Sequence, residues 1–104
     1  EVAAAEGINL EVIDIRSISP IDFNHIVESV KRTGRLIVAH EAGTFVSVSS
    51  EIAAKIAELC FYFLEAPVLR VGGFDVPYPA AKLEELYLPD ADRIMEAVDR
   101  VLAY

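Results

Sequence analysis

Leu36-Ile37-Val38-Ala39, fenced by Arg35 on one side and His40-Glu41 on the other, is the stretch that decides the fold. A short apolar run without alternation, bounded by charge, is the pattern of a strand buried on both faces in a parallel sheet. On its N-terminal side, Ser19-Pro20-Ile21-Asp22 has the form of a helix start: Ser19 can cap, Pro20 suits the first helical position and Asp22 favours the positive end of the dipole. Phe23, Ile26, Val27 and Val30 then recur at helical spacing, Lys31 and Arg32 suit the negative end, and Gly34 suits a left-handed stop. Farther back, the β-branched residues of Ile8 to Ile15 (INLEVIDI) predict another strand. On the C-terminal side, a loop from Ala42 to Ser47 leads to a helix carrying Val48, Ile52, Ile56, Leu59, Cys60 and Phe63, with Ser49 or Ser50 as cap. Pro67 ends that region. Val68-Leu69-Arg70-Val71 predicts a third strand, broken by Gly72-Gly73 before a loop with Pro77 and Pro79. Two helical patterns follow, the last starting at Pro89-Asp90 and placing Ile94, Met95, Val98, Val101 and Leu102 on one face.

Strands alternating with helices predict an α/β fold of three layers, a mostly parallel sheet with helices on both faces. The 104 residues suffice for one hydrophobic core, so residues 1–104 read as a single domain. Ala3-Ala4-Ala5-Glu6-Gly7 looks like the last turn of a helix stopped at Gly7. The domain is therefore expected to be truncated at its N-terminus and to lack its first strand.

Seventeen acidic residues against nine basic ones give a formal charge of −8, which opposes nucleic acid and anionic lipid and favours a basic partner. With 54% hydrophobic residues and a mean hydropathy of +0.39, the apolar content exceeds what one small core absorbs and points to protein contacts. No run approaches the ~20 apolar residues of a membrane helix. Cys60, the one cysteine, lies in an apolar run and reads as a buried small hydrophobe. No basic region followed by an apolar core marks a signal peptide at the N-terminus, so a reducing, cytoplasmic setting is expected.

The carboxyl ends of parallel strands are where open sheets bind ligands, and only His40 to Ser50 offers reactive groups there. An imidazole beside a carboxylate, His40-Glu41, can move protons near neutral pH, but neighbouring strand residues point to opposite faces. A hydrogen bond from His40 to an adjacent loop or subunit, fixing the strand end, is the plainer reading of the pair. Ser47, Ser49 and Ser50 open a helix and can meet an anion. Glu51 opposes that, and neither a GxGxxG motif nor a Walker lysine accompanies them. Binding of a small anion at the 46–51 turn thus stands as the alternative function. His25 and His40 lack metal-motif company, and no Gly-x-Ser-x-Gly elbow is present. The residues alone offer no catalytic, cofactor or metal site.

Several segments in fixed order resemble the C-terminal, transketolase-like domain of the beta subunit of thiamine-diphosphate-dependent 2-oxo acid dehydrogenases, the pyruvate, branched-chain and acetoin enzymes. These are Glu11-Val12-Ile13-Asp14-Ile15-Arg16-Ser17-Ile18-Ser19-Pro20-Ile21-Asp22, the junction from Glu28 to Leu36, His40-Glu41-Ala42, Glu51-Ile52-Ala53-Ala54, and the run from Glu65 to Pro79. Where the family usually carries a glycine-rich turn, this chain has Val46-Ser47-Val48-Ser49-Ser50, which puts the backbone path there in question.

That resemblance implies an assembly and docking domain of an oxidoreductase multienzyme complex, inactive when isolated. It implies no cofactor in this domain, with thiamine diphosphate and magnesium held elsewhere in the parent enzyme. The implied partners are the remainder of the beta subunit, the alpha subunit, a second beta subunit, and the basic peripheral-subunit-binding domain of the dihydrolipoyl acyltransferase. The candidate acidic contacts to that domain are Tyr104, through its terminal carboxylate, Glu65 and Asp99.

Overall fold

The computed structural model describes residues 1–104. Elements follow in the order α1 (Val2–Ala5), α2 (Phe23–Thr33), β1 (Ile37–Gly43), α3 (Val48–Cys60), β2 (Leu69–Gly73), a 3-10 turn (Ala81–Leu83), α4 (Glu84–Tyr87) and α5 (Ala91–Leu102). β1 and β2 pair in parallel, so the chain crosses over through α3 between them, as the α/β reading requires. α2 and α3 meet on Val38 to form the main core of Ile26, Val30, Val38, Ile52, Ile56 and Cys60. α5 packs on β1 and β2 with Ala97, Val98 and Val101 buried, outside that cluster, so helices cover the sheet from two sides. Ile56 is wholly buried, and a fully buried side chain of this kind contributes about 1.5–3 kcal/mol.

Local chemistry places the helix ends. Asp22, not Ser19, caps α2 by accepting the His25 N–H at 3.1 Å, since Asp22 stands directly before the first apolar position of the helical stripe. Gly34 closes the helix at φ 71° and donates its N–H to the Val30 carbonyl. Ser47, rather than Ser49 or Ser50, caps α3, which has already begun at Val48. Asp90 caps α5 through the Arg93 N–H at 2.9 Å.

The strands depart further from the sequence reading. Ile8 to Ile15 is extended but belongs to no sheet, because β1 and β2 are the only strands paired. A groove of about 1320 Å³ is lined by both this segment and β1, among other elements, and most of its lining residues are hydrophobic. Alternating apolar residues make a strand only where another edge stands within hydrogen-bond reach, and here none does. β1 runs on to Gly43 and β2 to Gly73, so His40-Glu41 lies inside a strand and Gly72-Gly73 extends the other. Between the pairs Ala39–Val71 and Gly43–Gly73 the register slips, leaving extra residues on β1 around His40. No side chain at Gly72 or Gly73 would fit this packing: a Cβ at Gly72 would lie 2.8 Å from His40 Cε1, and one at Gly73 would strike the Tyr87 hydroxyl.

Candidate functional site

The carboxyl end of β1 gathers the polar residues singled out from the sequence. The irregular register leaves the His40 ring over Gly72 and within reach of α3, where its Nε2 is 2.7 Å from the Ser49 hydroxyl. Ser49 is 0% exposed and lies 2.6 Å from the Ser47 hydroxyl, which donates to the Thr44 carbonyl. His40 Nδ1 is buried without a partner, while Glu41 is exposed and takes no part. A hydroxyl this deeply buried does not reach a substrate, so the chain of bonds locks the strand end to the helix.

The 46–51 turn is internally satisfied in the same way. Ser50 donates to the Thr44 carbonyl, and Arg70 Nη1 from β2 reaches both the Thr44 carbonyl at 2.7 Å and the Ser50 hydroxyl at 2.6 Å. An arginine therefore does meet this turn, although none stands near it in sequence. The serine hydroxyls are occupied by one another, by His40 and by Arg70. Val46 takes φ 48°, a left-handed conformation, while 82% exposed, so the backbone follows a path suited to glycine with a β-branched residue in place.

At the other end of the strands, Arg35 joins Glu65 to the last turn of α5: it pairs with the Glu65 carboxylate and donates from Nε to the Val101 carbonyl at 3.0 Å. Glu65 thus sits beside the chain end, with its charge already partly neutralised by Arg35. Tyr104 is 69% exposed, and Asp99 is exposed on α5 with no ion pair. Arg35 was not among the candidate residues, since its partners lie far along the chain and no local pattern shows them. Two carboxylates tie outer segments down. Glu11 is held below its ordinary carboxylate value by Ser29 and Arg32, and Glu84 pushes the Tyr78 phenol up to about 12.

No three His, Cys, Asp or Glu side chains come together in the chain.

Residues 1–94 match the family model described as "Transketolase, C-terminal domain". The chain belongs to that family. Within this family it is 64% identical over 104 residues to the pyruvate dehydrogenase E1 component subunit beta of Leifsonia xyli subsp. xyli, covering all of this chain and 31% of that protein. It is 53% identical over 94 residues to the 3-methyl-2-oxobutanoate dehydrogenase subunit beta of Mycobacterium tuberculosis, covering 90% and 27% of the two chains. To the 2-oxoisovalerate dehydrogenase subunit beta of Pseudomonas aeruginosa the identity is 45% over 103 residues, covering 98% and 29%. This transketolase C-terminal domain spans less than a third of the length of these curated relatives.

Proposed function

We propose that this transketolase C-terminal domain is the assembly and docking part of the beta subunit of a cytoplasmic 2-oxo acid dehydrogenase, and does no chemistry itself. The observation that carries this reading is the 64% identity across all 104 residues with a pyruvate dehydrogenase beta subunit. The structure lends it physical support. Large apolar residues stand exposed at Phe45, Val46, Phe61, Tyr62, Phe74 and Leu86, and a partner's surface would take them out of water. In this reading they are covered by the remainder of the beta subunit, the alpha subunit and a second beta subunit. The apolar groove between residues 8–15 and β1 is then filled by a strand from a preceding segment, which makes residues 1–104 the larger part of one domain. Thiamine diphosphate and magnesium belong elsewhere in the parent enzyme.

The net charge of −8 suits a basic partner, and the peripheral-subunit-binding domain of a dihydrolipoyl acyltransferase is the one proposed. Tyr104 and Asp99 are its proposed contacts, with Glu65 a weaker one because Arg35 already pairs with it. Calorimetric titration of the assembled dehydrogenase with that basic domain tests the docking role. Affinity should fall steeply as salt rises from about 50 to about 200 mM, over which the Debye length shortens, and Asp99→Asn should weaken it. Salt-independent binding, or none, overturns the docking role.

A further inference from the structure

Three of the chain's six arginines, Arg70, Arg93 and Arg100, line one cavity of about 340 Å³ between β2 and α5, together with Thr44 and Glu96. In a chain of net charge −8 this is a local reversal of sign. Arg32 and Arg35 are each paired with a carboxylate, whereas none of these three forms an ion pair. Glu96 is the only acidic residue on the cavity wall and leaves two positive charges uncompensated.

Two of the guanidinium groups are held in place by neutral acceptors. Arg70 donates to the Thr44 carbonyl and the Ser50 hydroxyl. Arg93 donates to the Gly72 carbonyl at 2.5 Å and the Tyr87 carbonyl at 3.3 Å, and its guanidinium lies 5.0 Å from the centre of the Phe74 ring. Carbonyls and hydroxyls fix a guanidinium without cancelling its charge. The ordering cost of an anion site is thereby met in advance by the fold. Arg100 is exposed and makes no hydrogen bond, so its whole planar fork remains free to grip two oxygens at once.

We propose that this cavity binds an oxyanion, a phosphoryl or carboxylate group, with Arg70 and Arg93 as the fixed positive wall and Arg100 as the donor that closes on it. The volume is far above the ~15 Å³ that one water needs in the same measure, so there is room for a group carried on a larger molecule. None of residues 46–51 lines this cavity, and the hydroxyls of that turn are already occupied.

Isothermal titration of the full chain at constant ionic strength, with inorganic phosphate in one arm and acetate in another against a chloride background, tests the proposal. Saturable binding is expected in at least one arm, and the arm that binds identifies the chemistry. Arg100→Gln should weaken it about tenfold, the loss of one charge-assisted bidentate contact, while Lys55→Gln, which removes the same charge from α3, should leave it unchanged. Arg100 makes no hydrogen bond in the fold, so its loss does not confuse binding with unfolding. Absence of saturable binding in both arms overturns the proposal, as does equal weakening by the two substitutions.

Discussion

Val46 carries a cost that its neighbours do not share. An L-residue in the left-handed region brings Cβ against its own carbonyl, at about 1–2 kcal/mol, and β-branching adds to the crowding. The side chain is largely exposed and returns little packing energy. Val46→Gly is therefore expected to stabilise the fold by about 1 kcal/mol, part of the relieved strain being offset by the greater freedom of glycine in the unfolded chain. A shift of the urea midpoint at unchanged m-value checks this; a destabilised variant would show that Val46 is not strained. His40 offers the opposite case. His40→Ala removes the bond to buried Ser49 and the ring over Gly72, and should cost about 1–3 kcal/mol in chemical denaturation. In the 2-oxo acid dehydrogenase proposed as the parent, folded His40→Ala variants are expected to keep their turnover if the residue acts only on the strand end.

Among the elements, the extended segment from Ile8 to Ile15 is the one most loosely held. It belongs to no sheet; the bonds between Glu11 and Arg32, at 2.8 and 3.1 Å, fasten it to α2, and Ile15 packs against the main core. Because Ser29 and Arg32 depress the Glu11 carboxyl in the folded state, the attachment is present above the unfolded carboxylate value and is lost as pH falls through the depressed one. The NMR chemical shifts of residues 8–15 should move toward random-coil values, while those of the α3 core hold, as the pH falls through that depressed value. Glu11→Gln should show those shifts already at neutral pH and little further change with acid; a pH-independent wild type would contradict the assignment.

The same segment shows where sequence reading runs out. Its residue pattern was that of a strand, but pairing depends on a neighbouring edge, which no property of residues 8–15 reports. Elements whose signals are local came through well: the Gly34 stop, the helix from Val48, the start of α5 at Asp90, and the buried Cys60. The caps moved to Asp22 and Ser47 because several adjacent residues could serve and the helix start chose among them. In the polar cluster, His40 and the serines were visible, while Arg70 was not, being 20 residues away from its Ser50 partner.

At the scale of the whole molecule, a charge of −8 and a large apolar groove coexist in one small domain. A groove lined mainly by hydrophobic residues should bind a hydrophobic dye such as ANS strongly. An N-terminal extension supplying an apolar strand should abolish most of that fluorescence and raise the melting temperature by several degrees, about what 1–2 kcal/mol does in a domain of this size. Unchanged dye binding would count against a strand filling the groove. The sheet's other side is already protected in part, because Arg93 occupies the Gly72 carbonyl and α5 lies against β2.

Cys60, 0% exposed at the end of α3, gives the chain a built-in chemical clock. It is the sole thiol, and a bulky maleimide or disulfide reagent cannot reach it until the α2–α3 core parts. When the core recloses faster than the reagent attacks, the labelling rate equals the rate of a free thiol multiplied by the fraction of time spent open. One mass-spectrometric time course thus reads the opening free energy of that core with no denaturant present. Repeated with a docking partner added, it reports directly how much of the partner's binding energy reaches the interior.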